Sequence, residues 1–320
     1  RSPFGWQQRG KDSERSACRV MTGRRDTSAR LLRPATPARW VAIPLLLLLV
    51  LLALPSPHFR DPCSTVLFSR DGQLMGALVA ADGQWRFEAG DSLPPRFMQC
   101  IVHFEDRAFW WHPGINPWAV ARAAWQNLRA GRVVSGASTL SMQVVRLSRR
   151  GQARTVKEKL VEMALAVKLE LTHSKSDILG MYASHAPFGG NVVGLEAAAW
   201  RYFGCDPQQL GWGECAGLAV LPNAPALVYP GRNESVLKAK RDRLLGILLR
   251  RDVIDSTTYS LALDERLPGV PEPLPRLAPH LLDRCHIGHP GETVRSTLDP
   301  TLQANVLQRC REHAARNRQN

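Results

Sequence analysis

Between Trp40 and Phe59 the chain carries no Lys, Arg, Asp or Glu, and its centre is almost pure leucine. Twenty helical residues cover roughly 30 Å, the thickness of a bilayer's hydrocarbon. The run therefore predicts a transmembrane signal anchor over residues 40–59. A cleaved signal peptide is the competing reading, but Leu54-Pro55-Ser56-Pro57 lacks a small-x-small cleavage site. Residues 64–88 alternate apolar and polar around Asp71-Gly72 and Asp82-Gly83, which predicts a small strand–turn–strand unit over 60–92. From about residue 95 the apolar spacing turns helical. Helices are expected over Phe97–Phe109, Pro117–Leu128, Thr139–Leu147, Thr155–Leu171 and Val236–Ile254. Ser174 with Asp177 reads as a capping box, and Asp206-Pro207 as an N-cap before a first-turn proline. Residues 93–263 thus read as one mainly α domain. The proline-rich stretch after it reads as a linker over 264–292. Residues 293–320 read as the start of a further region.

Charge adds topology to this picture. The formal net charge is +14, and residues 1–39 hold ten Lys/Arg against three Asp/Glu. That segment has little to bury and is expected to be disordered. The positive-inside rule keeps it in the cytoplasm and puts residues 60–320 on the outer side of a single-pass membrane protein. The chain does not open on Met, and Met21 is the expected start. The front-loaded arginine needs no nucleic acid to explain it, since no zinc-finger spacing or RNA-recognition motif is present. Seven cysteines form no C-x-x-C and come with no His pair, so no metal site is expected from them. An extracytoplasmic location would permit disulfides, with no connectivity to infer.

Candidate chemistry sits in two carboxylates and one loop. Glu105 lies beside Phe104, Phe109, Trp110 and Trp111, and apolar neighbours suit a carboxyl to proton transfer near neutral pH. A surface salt bridge with Arg107 is the alternative. Glu162 stands in a helix that is apolar nearly all round, so it faces an interior or a cleft. A core ion pair with Arg or Lys competes with a catalytic role. Two carboxylates on one cleft suit glycosyl-bond chemistry. The Gly136–Gln143 loop offers Ser138, Thr139 and Gln143, with Arg146 and Arg154 following. Hydroxyl, amide and guanidinium groups together suit a pyrophosphate. No Walker loop is present.

Four ordered blocks carry a resemblance: Glu105-Asp106-x-x-Phe109-x-x-His112-x-Gly114 followed by Arg122-Ala123; Gly136-x-Ser138-Thr139-x-x-x-Gln143; Lys159-x-x-Glu162 ahead of Leu169-Glu170; and Lys175-x-x-Ile178-Leu179-x-x-Tyr182 ahead of Phe188-Gly189. The chain resembles the family 51 peptidoglycan glycosyltransferases, the glycan-polymerising module of class A penicillin-binding proteins. The likeness covers roughly residues 38–300. It implies a lysozyme-like fold at the outer face of a bacterial inner membrane, acting on lipid II and undecaprenyl-pyrophosphate-linked glycan, in company with cell-wall synthesis proteins. It also implies Glu105 as the base on the acceptor's sugar 4-hydroxyl. Glu162 would assist at the pyrophosphate leaving group, through a divalent cation (Mg or Mn) if one is used. Asp106, His112, Arg122, Ser138, Thr139, Gln143, Arg146 and Arg154 would be substrate-binding residues. A lytic enzyme of lysozyme type and a non-catalytic cell-wall scaffold are the alternatives. Five positions depart from the family pattern: Met142 for a Gln, Arg146 for a Lys, Glu158 for an Arg, and Ala183-Ser184 for Leu-Asn. Ser235-x-x-Lys238 has the spacing of a penicillin-reactive serine motif, but no K-T-G follows, so no transpeptidase activity is expected. Ser296-Thr297-Leu298-Asp299 resembles the join to a transpeptidase module, which makes the chain an N-terminal piece of a longer protein or a truncated copy.

Overall fold

A computed structural model describes residues 45–46, 49–132, 134–150, 152, 155–223 and 233–317. The chain divides into two units, Arg1–Leu46 and Leu47–Asn320. Of the first, only Leu45 and Leu46 are described, both helical and exposed. The basic segment 1–39 and part of the expected anchor lie outside the described residues. Residues 49–53 are helical and stop ahead of Pro55, as the residue before a proline disfavours helix. Among the described residues, no helix is long and apolar enough to cross a membrane.

The second unit is mainly helical, with two small sheets. Strands β1 (Thr65–Phe68) and β2 (Leu74–Leu78) pair antiparallel around the Asp71-Gly72 turn, where Gly72 takes φ +77°. The outer side of β1 pairs in parallel with β6 (Thr293–Arg295), through Val66 opposite Thr293. A strand from the far end of the sequence thus completes the sheet begun at residue 65. The second sheet runs β3 (Trp85–Arg86), β5 (Val192–Val193), β4 (Pro187–Gly189).

The segment 264–292, expected as a linker, is only partly one. Residues 266–276 carry neither helix nor strand, but Pro279–Gly288 is a helix. Pro279 sits in its first turn, where a missing N–H costs nothing. Leu282 and Cys285, three apart on one face, pack with Ala278 on Leu67 and Met75 of the sheet. Burial of that stripe overrides the breaker composition around it.

The principal core is built by α1 (Pro95–Glu105), α2 (Pro117–Ala130), α3 (Leu140–Ser148), α4 (Val156–Thr172), α5 (Lys175–His185), α6 (Leu195–Tyr202), α7 (Trp212–Val220), α8 (Glu234–Leu249) and α9 (Ser256–Asp264). The helices α10 (Pro279–Gly288) and α11 (Pro300–Asn317) complete the chain order. Helix α1 packs against α7 and α8, and α3 against α4 and α5. Phe97, Ile101, Phe109, Leu140, Val144, Leu165, Leu169 and Tyr182 are buried where these groups meet. Each such apolar side chain contributes about 1.5–3 kcal/mol. The capping box of α5 is present, with Ser174 and Asp177 satisfying each other's backbone N–H groups.

Two features differ from the rest. Helix α2 buries only Ala123 along its length, which leaves Trp118 and Trp125 exposed at 85% and 65%. Beneath the chain at residues 87–94 lies a cavity of about 40 Å³ whose walls include Gly180, Ala183, Ser184 and Glu196. The small pair Ala183-Ser184 borders this space. The end of α5 is nonetheless ordered: Ser184 Oγ donates to the Gly180 carbonyl at 2.8 Å, and Ala186 N to Tyr182 O at 2.8 Å. All six described cysteines are free thiols.

Candidate active site

The site starts where α1 stops. The helix expected to continue to Phe109 ends at Glu105, because Asp106 leaves the helical conformation at φ −152°, ψ 79°. This turns the Asp106 carboxylate inward. Its Oδ2 accepts from His112 Nε2 at 2.9 Å and from the Leu140 N–H at 3.1 Å. The second bond satisfies an N–H at the start of α3, where a negative charge also suits the helix dipole. Thr139 caps the same helix, accepting from Met142 N at 3.2 Å while its hydroxyl donates to the Gly114 carbonyl at 2.6 Å. A cap of this kind contributes about 1 kcal/mol. Gly114 has φ +90°, and a Cβ there would lie 2.6 Å from the Ala166 carbonyl of α4. No other residue fits both conditions. Asp106 Oδ2, His112 Nε2 and the Thr139 hydroxyl thus hold the 106–114 loop against α3 and α4.

Glu105, the last residue of α1, is free to face outward. Gln143 Nε2 donates to its Oε2 at 2.7 Å, and Asn223 Nδ2 to its Oε1 at 3.3 Å. Glu105 and Asp106 line a groove of about 560 Å³ together with Arg107, Asn116, Arg122, Ser138, Thr139 and Arg251. Tyr182 is fully buried nearby. Burial first, and then the Glu105 charge, push its hydroxyl well above the ordinary tyrosine range.

Glu162 is buried on α4, at 5% exposure. Arg146 of α3 grips it with two bonds, Nε to Oε1 at 2.7 Å and Nη2 to Oε2 at 2.9 Å. Lys159 Nζ reaches Oε2 at 3.0 Å and also donates to Ser138 Oγ at 2.8 Å. Burial pushes the Glu162 carboxyl up, but the bonds from Arg146 and Lys159 outweigh it and hold the group below the ordinary glutamate range. Desolvation lowers the Lys159 amine despite its bond to Glu162. The core-ion-pair reading and the cleft reading of Glu162 therefore both describe this residue. A metal at Glu162 would have to compete with Arg146 for Oε1 and with Arg146 and Lys159 for Oε2. Among the described residues, no group of three or more His, Cys, Asp or Glu could hold one.

A second polar node backs the loop. Lys175 ion-pairs with Glu170 at 2.7 Å, donates to the His112 carbonyl at 2.8 Å, and sits 4.3 Å from the Phe109 ring centroid. Ser141 Oγ donates to Glu170. Glu158, where the family pattern has Arg, takes two bonds from Arg149 at 2.7 and 3.1 Å. The candidate residues thus fall into a Glu105 group with Gln143 and a Glu162 group with Arg146, with Ser138 tied to the latter through Lys159. Arg122 lines the groove, and Arg154 lies outside the described residues. Asn223 and Lys159 join the site without having been singled out for it. Lys159 stood inside the third block and Asn223 lay outside all four, and their contacts appear only in three dimensions. Ser235 is exposed on α8, and Lys238 is ion-paired with Asp242 at 2.8 Å.

The family model for Transglycosylase matches residues 71–248, a span containing both carboxylates and their partners. The chain belongs to this transglycosylase family. Penicillin-binding protein 1C of Escherichia coli (strain K12) is 37% identical over 79% of this chain and 33% of that protein. Penicillin-binding protein 1A of Aquifex aeolicus is 33% identical over 72% of the chain and 32% of its own length. The chain therefore spans about a third of these curated relatives, and the part it shares with them is the transglycosylase region. A 2.6 Å crystal structure of penicillin-binding protein 1A from Haemophilus influenzae aligns over 76% of this chain and 28% of that one, at 17% identity and a TM-score of 0.38.

Proposed function

We propose that this transglycosylase is a membrane-associated peptidoglycan glycosyltransferase of lysozyme-like fold that polymerises lipid II into glycan strands. The observation that carries the reading is the pairing of one outward carboxylate, Glu105, with a separate buried carboxylate held between two cations. The two have different chemical capacities. Glu105 accepts two amide bonds and opens on the groove, so it can take a proton from a sugar 4-hydroxyl. The freed oxygen attacks the anomeric carbon of the donor with inversion, and the bond from that carbon to the diphosphate breaks. Glu162 stays ionised and does not donate a proton. It orients Arg146 and Lys159, and one carboxylate against two cations leaves this node with a single net positive charge for the departing diphosphate. Charge-assisted bonds of this type are the stronger class, and aiming them where charge develops lowers the barrier.

Membrane association is part of the same proposal. Trp111, Trp118 and Trp125 are 89%, 85% and 65% exposed, and Leu128 is 80% exposed. Along α2, Trp118, Arg122, Trp125 and Arg129 recur at helical spacing on one face. Tryptophan and arginine on a barely buried helix suit the headgroup layer of a bilayer. Both substrates would be lipid-tethered, so a site beside that face meets them where they reside.

The test is polymerisation of lipid II by the purified chain in detergent. Wild type is expected to lengthen glycan and Glu105→Gln to stop it. Equal rates would remove Glu105 from the reaction, and release of fragments from preformed sacculi without lipid II consumption would replace the reading with lytic activity.

A further inference from the structure

Residues 87–94 connect the β unit to α1 and carry neither helix nor strand. Phe87 and Pro94 are buried, while positions 88–92 are exposed, so the segment is a strap fixed at both ends. One side of it covers the cavity of about 40 Å³ walled by Gly180, Ala183 and Ser184 of α5. The other side borders a cleft of about 570 Å³, shared with the 71–72 turn, β6 and residues 206–209. Thr293 N donates to Glu88 Oε2 at 2.9 Å, and Gln208 Nε2 to the Ser92 carbonyl at 2.7 Å. Between them Gly90 N donates to Glu196 Oε1 of α6 at 3.2 Å. The fit at this middle tether is close, since a Cβ on Gly90 would collide with that oxygen.

Charge around Glu196 is one-sided. Glu88 and Asp91 of the strap, Asp206 ahead of the 207–209 turn and Asp71 of the hairpin line the same cleft, with Arg295 of β6 as the cation among its lining residues. Asp71 is paired with Arg70 at 3.5 Å. Glu88, Asp91, Glu196 and Asp206 have no ion-pair partner among the described residues. The α5 wall of the cavity offers Gly180, Ala183 and Ser184, none of them charged. Arg201, on the same helix as Glu196, is turned to the Trp85 ring and the Glu272 carbonyl. Burial first, and then the charge of Asp206, raises the Glu196 carboxyl to about 7; the bond from Gly90 pulls the other way and is outweighed. The neutral acid therefore suits the seated strap, and a carboxylate there gains by reaching water. By linkage, a proton held more tightly in one arrangement favours that arrangement, and its loss favours the other.

We propose that Glu196 and residues 88–92 form a proton-operated latch: neutral Glu196 keeps the strap seated on α5 and α6, and ionised Glu196, facing Asp91 and Asp206, lets it lift. The opening is local, because Phe87 and Pro94 stay in the core at the two ends. Such partial openings lie below the cost of global unfolding. The strap leads directly into α1, the helix that ends on Glu105, so the latch sets how firmly the β unit is joined to the helix bearing the groove. It stands independently of which reaction Glu105 serves.

The experiment is amide hydrogen exchange of the full chain in detergent, followed by mass spectrometry from about pH 5 to about pH 8. Each rate is divided by that of an unstructured amide at the same pH, which removes the ordinary base catalysis of exchange. In wild type, protection of the peptide covering 87–94 is expected to fall by about ten- to a hundredfold across this range, from the size of the Glu196 shift. Peptides from α7 should keep theirs. Glu196→Gln retains an acceptor for the Gly90 N–H and cannot ionise, so its strap should stay protected throughout. Asp91→Asn, at an exposed position, removes a facing charge and should shrink the fall and bring its upper end to lower pH. A flat profile in wild type, or the same fall in Glu196→Gln, would overturn the latch. Loss of protection in α7 in step with the strap would also overturn it, because the opening would then be global. If Glu196→Gln fails to melt cooperatively, Asp91→Asn decides alone, and a profile identical to wild type sinks the proposal.

Discussion

The side-chain amide of Gln143 donates to Oε2 of Glu105 at 2.7 Å, tying the first turn of α3 to the last residue of α1. It fixes the direction in which the carboxylate faces the groove. Gln143→Leu is expected to lower kcat for lipid II polymerisation by about tenfold or more with KM nearly unchanged, as a bond to a charged carboxylate is worth about 1.5–3 kcal/mol. Glu105→Gln should cost far more, about 10²–10⁴-fold, the range of a lost general base. Equal kcat in wild type and Gln143→Leu would show that the bond does not position Glu105.

Glu162 makes a prediction about acid. Its folded pKa lies below the ordinary value, so the unfolded chain binds the proton more readily. Its contribution to stability is therefore complete above about pH 4.3 and is lost as pH falls through the folded value. Thermal melts across that range should show a falling acid limb in wild type and a flatter one in Glu162→Gln. At neutral pH the variant should already be weaker by about 1–3 kcal/mol, since Arg146 and Lys159 lose a shared partner.

Glu196 predicts the opposite slope. Burial first, then the charge of Asp206, raises its carboxyl to about 7, even though it accepts a bond from the Gly90 N–H. The folded state holds the proton more tightly, so stability is full below the ordinary glutamate value and declines as pH rises through about 7. A shift of this size corresponds to about 3 kcal/mol. Glu196→Gln should melt at a temperature nearly independent of pH between about 5 and 8. If its profile keeps the wild-type slope, another group is responsible.

The exposed tryptophans predict lipid binding. Replacing Trp111, Trp118 and Trp125 together by Ser should reduce co-sedimentation of the chain with phospholipid vesicles by at least about tenfold, each Trp contributing on the order of 1–3 kcal/mol when covered. Melting temperature should hardly change, because these side chains lie outside the core. Undiminished vesicle binding would leave this face without a lipid role.

Most helices were legible because their apolar stripes and caps are local: Ser174 with Asp177, and Asp206 before Pro207. Less legible was anything set by partners distant in sequence. The early end of α1 follows from what Asp106 bonds 6 and 34 residues away. The third strand beside β1 comes from more than 220 residues on. Glu162 was recognisable as buried from its apolar surroundings, but its two cations were not separable from other basic residues by spacing alone. Ala183-Ser184 was visible as a departure; that it borders a cavity with Glu196 in the wall is a fact of packing. Glu158 looked like a charge reversal, and Arg149 nine residues earlier supplies its counter-charge.

One buried amine sets a scale for the site. Lys168, 6% exposed on α4, donates to the carbonyls of Leu52 and Leu54, where the apolar run ends. Lys168 and Glu162 lie six residues apart on the same rigid helix, a rise of about 9 Å. The height of the Arg146–Glu162–Lys159 node is thus measured from the end of the leucine run through a helix, and not along residues 55–64. Lengthening that connection would leave the ruler intact; removing the amine would detach its zero mark.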